Sequence, residues 1–90
     1  MWEIVYSSRF KKDLKRYQYQ QKKIAALKEI LLDLRENGKV KARYRPHMLA
    51  GDYKGCMECH IESDFLLIWL DESNQTIALV RLGSHAELFK

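Results

Sequence analysis

Ninety residues, of which 47% are apolar and 31% charged, predict one folded domain rather than a disordered chain. No apolar secretory segment follows Met1, and no stretch approaches the ~18 apolar residues that a membrane span needs, so we expect a cytoplasmic protein. The charge is uneven, because residues 1–45 hold thirteen Lys/Arg against five Asp/Glu and residues 46–90 hold three against seven. Such a basic half favours RNA or an acidic protein as partner, although solvated helix faces would produce the same pattern.

The N-terminal half has the pattern of one strand followed by two helices. Residues 2–6 are aromatic and β-branched, which predicts an opening strand. Ser7 or Ser8 can cap a first helix, whose apolar positions recur at helical spacing: Phe10, Leu14 and Tyr17. A second helix is predicted from about Gln20 to Asn37, with Gly38 as its C-terminal stop and one apolar stripe, Ile24, Leu27, Leu31 and Leu34.

The C-terminal half has the pattern of a sheet. Residues 39–50 are irregular and basic, which predicts a surface loop, and strands are predicted at about 53–61, 65–71 and 76–82. The short connections between them require antiparallel hairpins, and the unbroken apolar run 65–70 is typical of a central strand covered on both faces. The order β-α-α-β-β-β predicts an α+β fold, with two N-terminal helices packed on one face of a mainly antiparallel sheet.

Cys56 and Cys59 form a C-x-x-C-H sequence with His60, which is the attachment signature of c-type haem and also half of a zinc site. Residues three apart on a strand point to opposite faces, there is no export signal, and no second C-x-x-C pair completes a zinc site. We therefore expect no haem, zinc or disulfide here, and we expect at least one cysteine to fill the core.

The three histidines lie at the ends of predicted elements: His47 in the basic loop, His60 near a strand end and His85 after the last strand. Asp64 and Arg81 lie close to them in sequence or along the predicted sheet. Imidazole suits proton transfer near neutrality, and guanidinium holds phosphate oxygens in bidentate fashion. Neither a phosphate-binding Gly-rich loop nor a carboxylate-rich two-metal site is present in the sequence, so the set favours metal-free RNA cleavage.

Two segments resemble the YafQ branch of the RelE/ParE toxin superfamily. They are His47-Met48-Leu49-Ala50-Gly51-Asp52-Tyr53-Lys54-Gly55, continued by 58–69, and the ending Val80-Arg81-Leu82-Gly83-Ser84-His85-Ala86-Glu87-Leu88-Phe89. The segment Tyr6–Lys15 is similar to the first strand and helix of these toxins. The resemblance implies a RelE-like fold and a type II toxin that cleaves messenger RNA on the ribosome and is neutralised by a cognate antitoxin.

The resemblance also implies a site. The catalytic positions of the family match His47, His60, Asp64, Arg81 and His85, and a family aromatic matches Phe89, while the order of base and acid stays open. For contacts with RNA we expect Phe89 and six basic residues: Lys11, Lys12, Lys15, Arg43, Arg45 and Lys54. We expect no metal and no cofactor. Family members commonly carry Tyr-Arg where this chain has Cys56-Met57.

Two alternatives remain. The first is a non-enzymatic inhibitor of DNA gyrase of the ParE kind, built on the same fold, since fold does not settle function. The second is a plain RNA-binding module that uses the basic helices. Neither alternative needs a set of three histidines, and this favours the ribonuclease.

Overall fold

A computed structural model describes residues 1–89 and has an α+β architecture, as the sequence predicted. The elements are β1 (Glu3–Tyr6), α1 (Ser8–Tyr17), α2 (Gln21–Asn37), β2 (His47–Met48), β3 (Met57–Glu62), β4 (Phe65–Glu72), β5 (Thr76–Gly83) and α3 (His85–Leu88). They form one five-stranded sheet in the order β1-β5-β4-β3-β2. β1 runs parallel to β5, and every other neighbouring pair is antiparallel.

The predicted helix ends are confirmed. The Ser7 side chain accepts a hydrogen bond from the main-chain N–H of Phe10 at 3.0 Å, which satisfies one free donor of the first turn of α1. Gly38 ends α2 in the left-handed conformation (φ 72°), and a Cβ there would lie 2.4 Å from the Trp2 ring. The main-chain N–H of Trp2 also donates to the carbonyl of Arg35 at 2.8 Å, so the start of the sheet is held against the end of α2.

The core has two layers because β4 is buried on both faces. The larger layer packs α1 and α2 on one face of the sheet and includes Phe10, Leu27, Ile30, Leu34, Cys59, Leu67, Trp69 and Leu79. The smaller layer covers the opposite face and is formed around Leu66, Ile68 and Leu88. None of the helices within residues 1–89 is both long enough and apolar enough to span a bilayer.

Two sequence predictions were wrong in detail, and one element was missed. The strand predicted at 53–61 begins at Met57, because residues 51–53 form a 3-10 turn and Gly55 has a φ of 91°. Residues 39–50 are not all loop, since His47 and Met48 form the edge strand β2 against β3. The helix α3 was not predicted, although Ser84 and Glu87 form a capping box, the sequence signal of a helix start.

Candidate active site

The three imidazoles lie side by side at one end of the sheet. The ring centroids of His47 and His60 are 6.1 Å apart, and those of His60 and His85 are 5.7 Å apart. Strand pairing produces this row. β2 places His47 opposite Glu58 on β3, and His60 lies opposite Leu66, which itself pairs with Gly83 just before His85.

Asp64 holds His85 through two hydrogen bonds. Its Oδ1 accepts from the main-chain N–H and from Nδ1 of His85, each at 2.9 Å. The hydrogen bond from the His85 main-chain N–H, followed by that from its side chain, lowers the pKa of Asp64. Because an ionised carboxylate can only accept, Nδ1 carries the proton and Nε2 of a neutral His85 has a free lone pair.

Glu58 is a site residue that sequence reasoning missed. Its Oε1 lies 3.2 Å from Nε2 of His47 and 3.9 Å from Nε2 of His60. Glu58 is buried, with 3% of its surface exposed, and its Oε2 has no hydrogen-bond partner within residues 1–89. One sequence signal was available, since Glu58 precedes His60 by two residues and so shares its face of β3.

The ring of His47 is also held from its other side. Its Nδ1 lies 2.9 Å from the main-chain carbonyl of Arg45, and a carbonyl only accepts, so Nδ1 is the donor. Arg45 adopts the left-handed backbone conformation (φ 54°), which is uncommon for a residue other than glycine. Arg45 therefore contributes to the site through its main chain, a contact that its charge did not predict.

Arg81 faces α1. Its Nε and Nη2 donate to the two carboxylate oxygens of Asp13 at 2.7 and 3.2 Å, and its Nη1 donates to the hydroxyl of Tyr53 at 3.1 Å. The hydrogen bond to Asp13 is the main cause that raises the pKa of Arg81. Arg81 is linked to the histidines indirectly, because the Tyr53 ring packs on Phe89 at 5.5 Å and Phe89 lies 6.0 Å from His85.

The short helix α3, which carries His85, is anchored to α1 through Glu87. Glu87 accepts hydrogen bonds from Arg16 at 2.8 Å, from the Tyr17 hydroxyl, and from the main-chain N–H of Ser84 at 2.9 Å. Burial, and then the Glu87 contact, raises the pKa of Tyr17 to about 12. Burial acts to raise the pKa of Glu87, but the hydrogen bonds from Tyr17 and Ser84 outweigh it and lower that pKa.

The predicted RNA-contacting residues are spread over the surface. Lys12 lines a cleft of about 550 Å³ between α1 and Arg81, whereas Lys11 and Lys15 are exposed outside its lining. Arg43 stacks on the ring of Tyr44, Lys54 is exposed at the end of the 51–53 turn, and 43% of Phe89 is exposed beside His85.

One set of site residues has the spacing of metal ligands. Glu58, His60 and His85 each offer one ligand atom, and these atoms lie within 4.8 Å of one another. Imidazole and carboxylate ligands suit zinc and copper, and the unpartnered Oε2 of Glu58 is consistent with such a role. This set was not foreseen in the sequence, which predicted a site without metal.

The two cysteines diverge as predicted, but only Cys59 lies on β3 and Cys56 precedes that strand. Cys59 is buried in the larger core layer, and Cys56 packs against the smaller layer on the other face. Both are free thiols. Burial raises the pKa of Cys56 and raises that of Cys59 to about 12.

Comparison with known proteins supports the family that the motifs indicated. Residues 2–90 match the model of the bacterial toxin YafQ of type II toxin–antitoxin systems. The Escherichia coli K12 protein named mRNA interferase toxin YafQ is 34% identical over 88 residues, which cover 97% of this chain and 95% of that protein.

Two solved structures extend the comparison. The structure of the E. coli DinJ–YafQ complex matches with a TM-score of 0.85 and 33% identity, covering 100% of both chains. A metal-bound toxin from Helicobacter pylori matches with a TM-score of 0.86 and 36% identity, covering 99% of this chain and 100% of that one. The chain therefore belongs to the YafQ family of bacterial type II toxins.

Proposed function

We propose that this protein is a type II toxin that cuts messenger RNA by acid–base catalysis at the histidine cluster. The observation that carries the proposal is the pair formed by Asp64 and His85, in which the carboxylate fixes the imidazole tautomer and leaves Nε2 available as a base. The same arrangement of carboxylate, imidazole and attacking hydroxyl is used in hydrolytic triads. The name of the E. coli relative, an mRNA interferase, supports messenger RNA as the substrate.

In the proposed reaction, Nε2 of His85 removes the proton of a ribose 2′-hydroxyl. The 2′-oxygen then attacks the adjacent phosphorus, the bond from phosphorus to the 5′-oxygen breaks, and that oxygen takes a proton from an acid. The products are a 2′,3′-cyclic phosphate and a 5′-hydroxyl end. No external oxidant, reductant or co-reactant is needed.

His47 is proposed as the acid. Its Nδ1 already donates to the carbonyl of Arg45, while its Nε2 lies 3.2 Å from a carboxylate oxygen of Glu58. We propose that a proton lies between these two atoms and that it passes to the 5′-oxygen during cleavage. His60 lies between His47 and His85 and is proposed to donate to a non-bridging phosphate oxygen.

Arg81 is proposed to stabilise the negative charge that develops on the phosphate. The bidentate pair with Asp13 fixes the plane of its guanidinium group, and fixed donors stabilise developing charge without a reorganisation cost. The contact with Tyr53 and the packing of Tyr53 on Phe89 connect this group to the side of His85.

A divalent metal would be held by Glu58, His60 and His85, and it would supply Lewis-acid stabilisation of phosphate charge. The proposed proton transfers need the same atoms free, because a lone pair on a metal cannot accept a proton. We therefore propose that cleavage proceeds without metal.

We further propose that the toxin acts in the cytoplasm on ribosome-bound messenger RNA and is neutralised by a cognate antitoxin. The complex of the related YafQ with DinJ supports a protein partner. The excess of positive charge in residues 1–45 supports contacts with ribosomal RNA and with an acidic antitoxin segment. The alternative of a gyrase inhibitor would leave the histidine cluster without a role.

The roles of the histidines can be tested with a messenger RNA whose scissile 5′-oxygen is replaced by sulfur. A thiolate leaves without protonation, since a thiol of the cysteine kind has a pKa of about 8.5. On normal RNA, His47→Ala and His85→Ala should each slow cleavage on ribosomes by about 10²–10⁴-fold. On the sulfur substrate, His47→Ala should recover and His85→Ala should stay slow. Recovery of His85→Ala alone would reverse the assignment, and uncut RNA with the unaltered protein would refute the nuclease.

A further inference from the structure

Helix α1 carries a stripe of charged residues that takes no part in the proton transfers proposed for the histidine cluster. Arg9, Lys12, Asp13 and Arg16 recur at intervals of three, one and three residues, which places them on one face of the helix. This face lines the cleft beside Arg81, and the sixth lining residue is Glu87 of α3. All six lining residues are ionisable.

The ion pairs within the cleft leave two cations unmatched. Asp13 pairs with Arg81 and Glu87 pairs with Arg16, each carboxylate having one cationic partner. Among the ion pairs formed within residues 1–89, none involves Arg9 or Lys12. Both side chains are exposed, and the cleft has an excess of two positive charges.

Helix stability does not explain the position of Arg9. It lies in the first turn of α1, which holds no acidic residue. The helix macrodipole is positive at this end, so a cation there is unfavourable and an acid would be preferred. A cation at this unfavourable position is consistent with an anionic ligand.

The cleft adjoins the candidate active site. Arg81 forms part of its wall, and Glu87 belongs to the single helical turn that begins with His85. Because Glu87 lines the cleft two residues after His85, an RNA strand that is cut at His85 can continue into the cleft.

We propose that this cleft binds the phosphate backbone of the RNA strand next to the cleavage site, with Arg9 and Lys12 as the phosphate-contacting residues. The inference rests on the proposed nuclease function only for the position of the cut. Within residues 1–89, the lining has no aromatic ring for base stacking and no apolar side chain for a docking helix. The cleft therefore suits backbone phosphates better than bases or an amphipathic protein segment. The binding is therefore independent of sequence.

The chain offers a control of equal charge on α2. Arg9→Ala/Lys12→Ala removes two charges from the cleft, and Lys28→Ala/Arg35→Ala removes two exposed charges from outside its lining. A third variant, Arg9→Lys/Lys12→Arg, keeps both charges. All three are prepared in the His47→Ala background so that the probe stays intact, and their thermal unfolding is compared to confirm the fold.

The probe is a fluorescein-labelled single-stranded RNA of twelve nucleotides, and its anisotropy gives the affinity at several salt concentrations. The affinity falls as salt rises, and each lost phosphate contact makes the slope of log affinity against log salt shallower by about 0.7. The variant Arg9→Ala/Lys12→Ala should therefore have a slope that is shallower by about 1.4. The control pair and the charge-keeping variant should retain the parent slope. Equal losses in the cleft and control pairs, or parent-like binding by the cleft pair, would overturn the proposal.

Two further measurements distinguish RNA binding by the cleft from the proposed nuclease function and from binding of the antitoxin. Cleavage by the protein with all its histidines tests the nuclease, whereas binding of the probe tests the cleft, so either can fail while the other holds. The second readout is capture of the cognate antitoxin. A cleft pair that loses the antitoxin but keeps the RNA probe would assign the cleft to the protein partner and overturn the RNA assignment.

Discussion

Asp64 accepts two hydrogen bonds from His85, one from its main chain and one from its ring, both at 2.9 Å. The two residues are twenty-one positions apart, so this contact joins the turn between β3 and β4 to the first residue of α3. The main-chain bond fixes where α3 begins, and the ring bond fixes the tautomer of the proposed base. One carboxylate thereby sets both the position and the protonation site of His85.

The carboxyl pKa of Asp64 should lie below its usual range in the folded protein, because its ionised form accepts both hydrogen bonds. The contact therefore contributes stability above the unfolded pKa, and this contribution is lost as the pH falls through the folded pKa. Carbon-detected NMR titration measures it directly. His85→Ala should raise the pKa only part of the way, since the main-chain N–H remains. A carboxyl pKa in the usual range for the unaltered protein would contradict the geometry.

Glu58→Gln should reduce cleavage by about 10²-fold, since it removes the carboxylate that is proposed to share a proton with His47. The fold should lose no stability, because the change removes a buried charge whose second oxygen has no hydrogen-bond partner in the described part of the chain, residues 1–89. Cleavage rate against pH and urea unfolding are the two measurements. Glu62→Gln is the matched control on the same strand, where the carboxylate pairs with Lys23 at 2.9 Å instead. If Glu58→Gln lost stability and kept its rate, Glu58 would be a structural residue.

Neither cysteine should react quickly with a thiol reagent at neutral pH in the folded protein. The thiolate is the reactive form, and burial raises the pKa of Cys56 and raises that of Cys59 to about 12. Reaction with a chromogenic disulfide should be slow, and it should release two equivalents after unfolding in urea. A fast native phase would show that one thiol is accessible and ionised.

Much of the fold followed from local patterns. The helix caps at Ser7 and Gly38 and the doubly buried strand β4 each depend on residues close together in sequence, and each was predicted. The missed features depend on distant contacts. β2 is two residues long, so its pairing with β3 is set by the folded sheet and not by any sequence period.

In the candidate active site, too, the features that depend on local sequence were predicted and those that depend on distant contacts were not. The three histidines were found from their motif positions, but the partners that orient them could not be ranked from sequence. Glu58 becomes a neighbour of His47 only through the β2–β3 pairing, and Asp13 meets Arg81 across sixty-eight residues. Charge alone predicted RNA contacts for all the lysines of α1 without distinction. In the structure, Lys12 lies on the helix face that lines the cleft, and Lys11 lies outside it.

Cleavage should survive EDTA, and copper or zinc added afterwards should inhibit it. Both ions favour the nitrogen and carboxylate ligands that Glu58, His60 and His85 offer, and ligation would occupy atoms needed for proton transfer. Cleavage assays after chelation and after metal addition are the measurement, and calorimetric titration with the metal alone gives an independent readout. Activity that is lost with EDTA and restored by a divalent ion would overturn the metal-free mechanism.

The pair of Asp13 and Arg81 should show a structural role and a catalytic role that can be separated. Arg81→Met leaves the buried carboxylate of Asp13 without its cation, so it should lower the free energy of unfolding by about 3–5 kcal/mol. Adding Asp13→Asn removes that charge and keeps an acceptor for the main-chain N–H of Leu82, which donates to Asp13 at 3.0 Å. The double variant should therefore recover part of the stability, as measured by urea unfolding.

In the double variant Arg81→Met/Asp13→Asn, the cleavage rate should not recover together with the stability. Neither variant restores a guanidinium group beside the phosphate, so the rate should stay near that of Arg81→Met alone. Asp13→Asn by itself should retain more activity than either, because Arg81 keeps a hydrogen-bonding partner at the same place. If the double variant regained both stability and the full cleavage rate, Arg81 would act only through the fold, and its proposed contact with the scissile phosphate would be wrong.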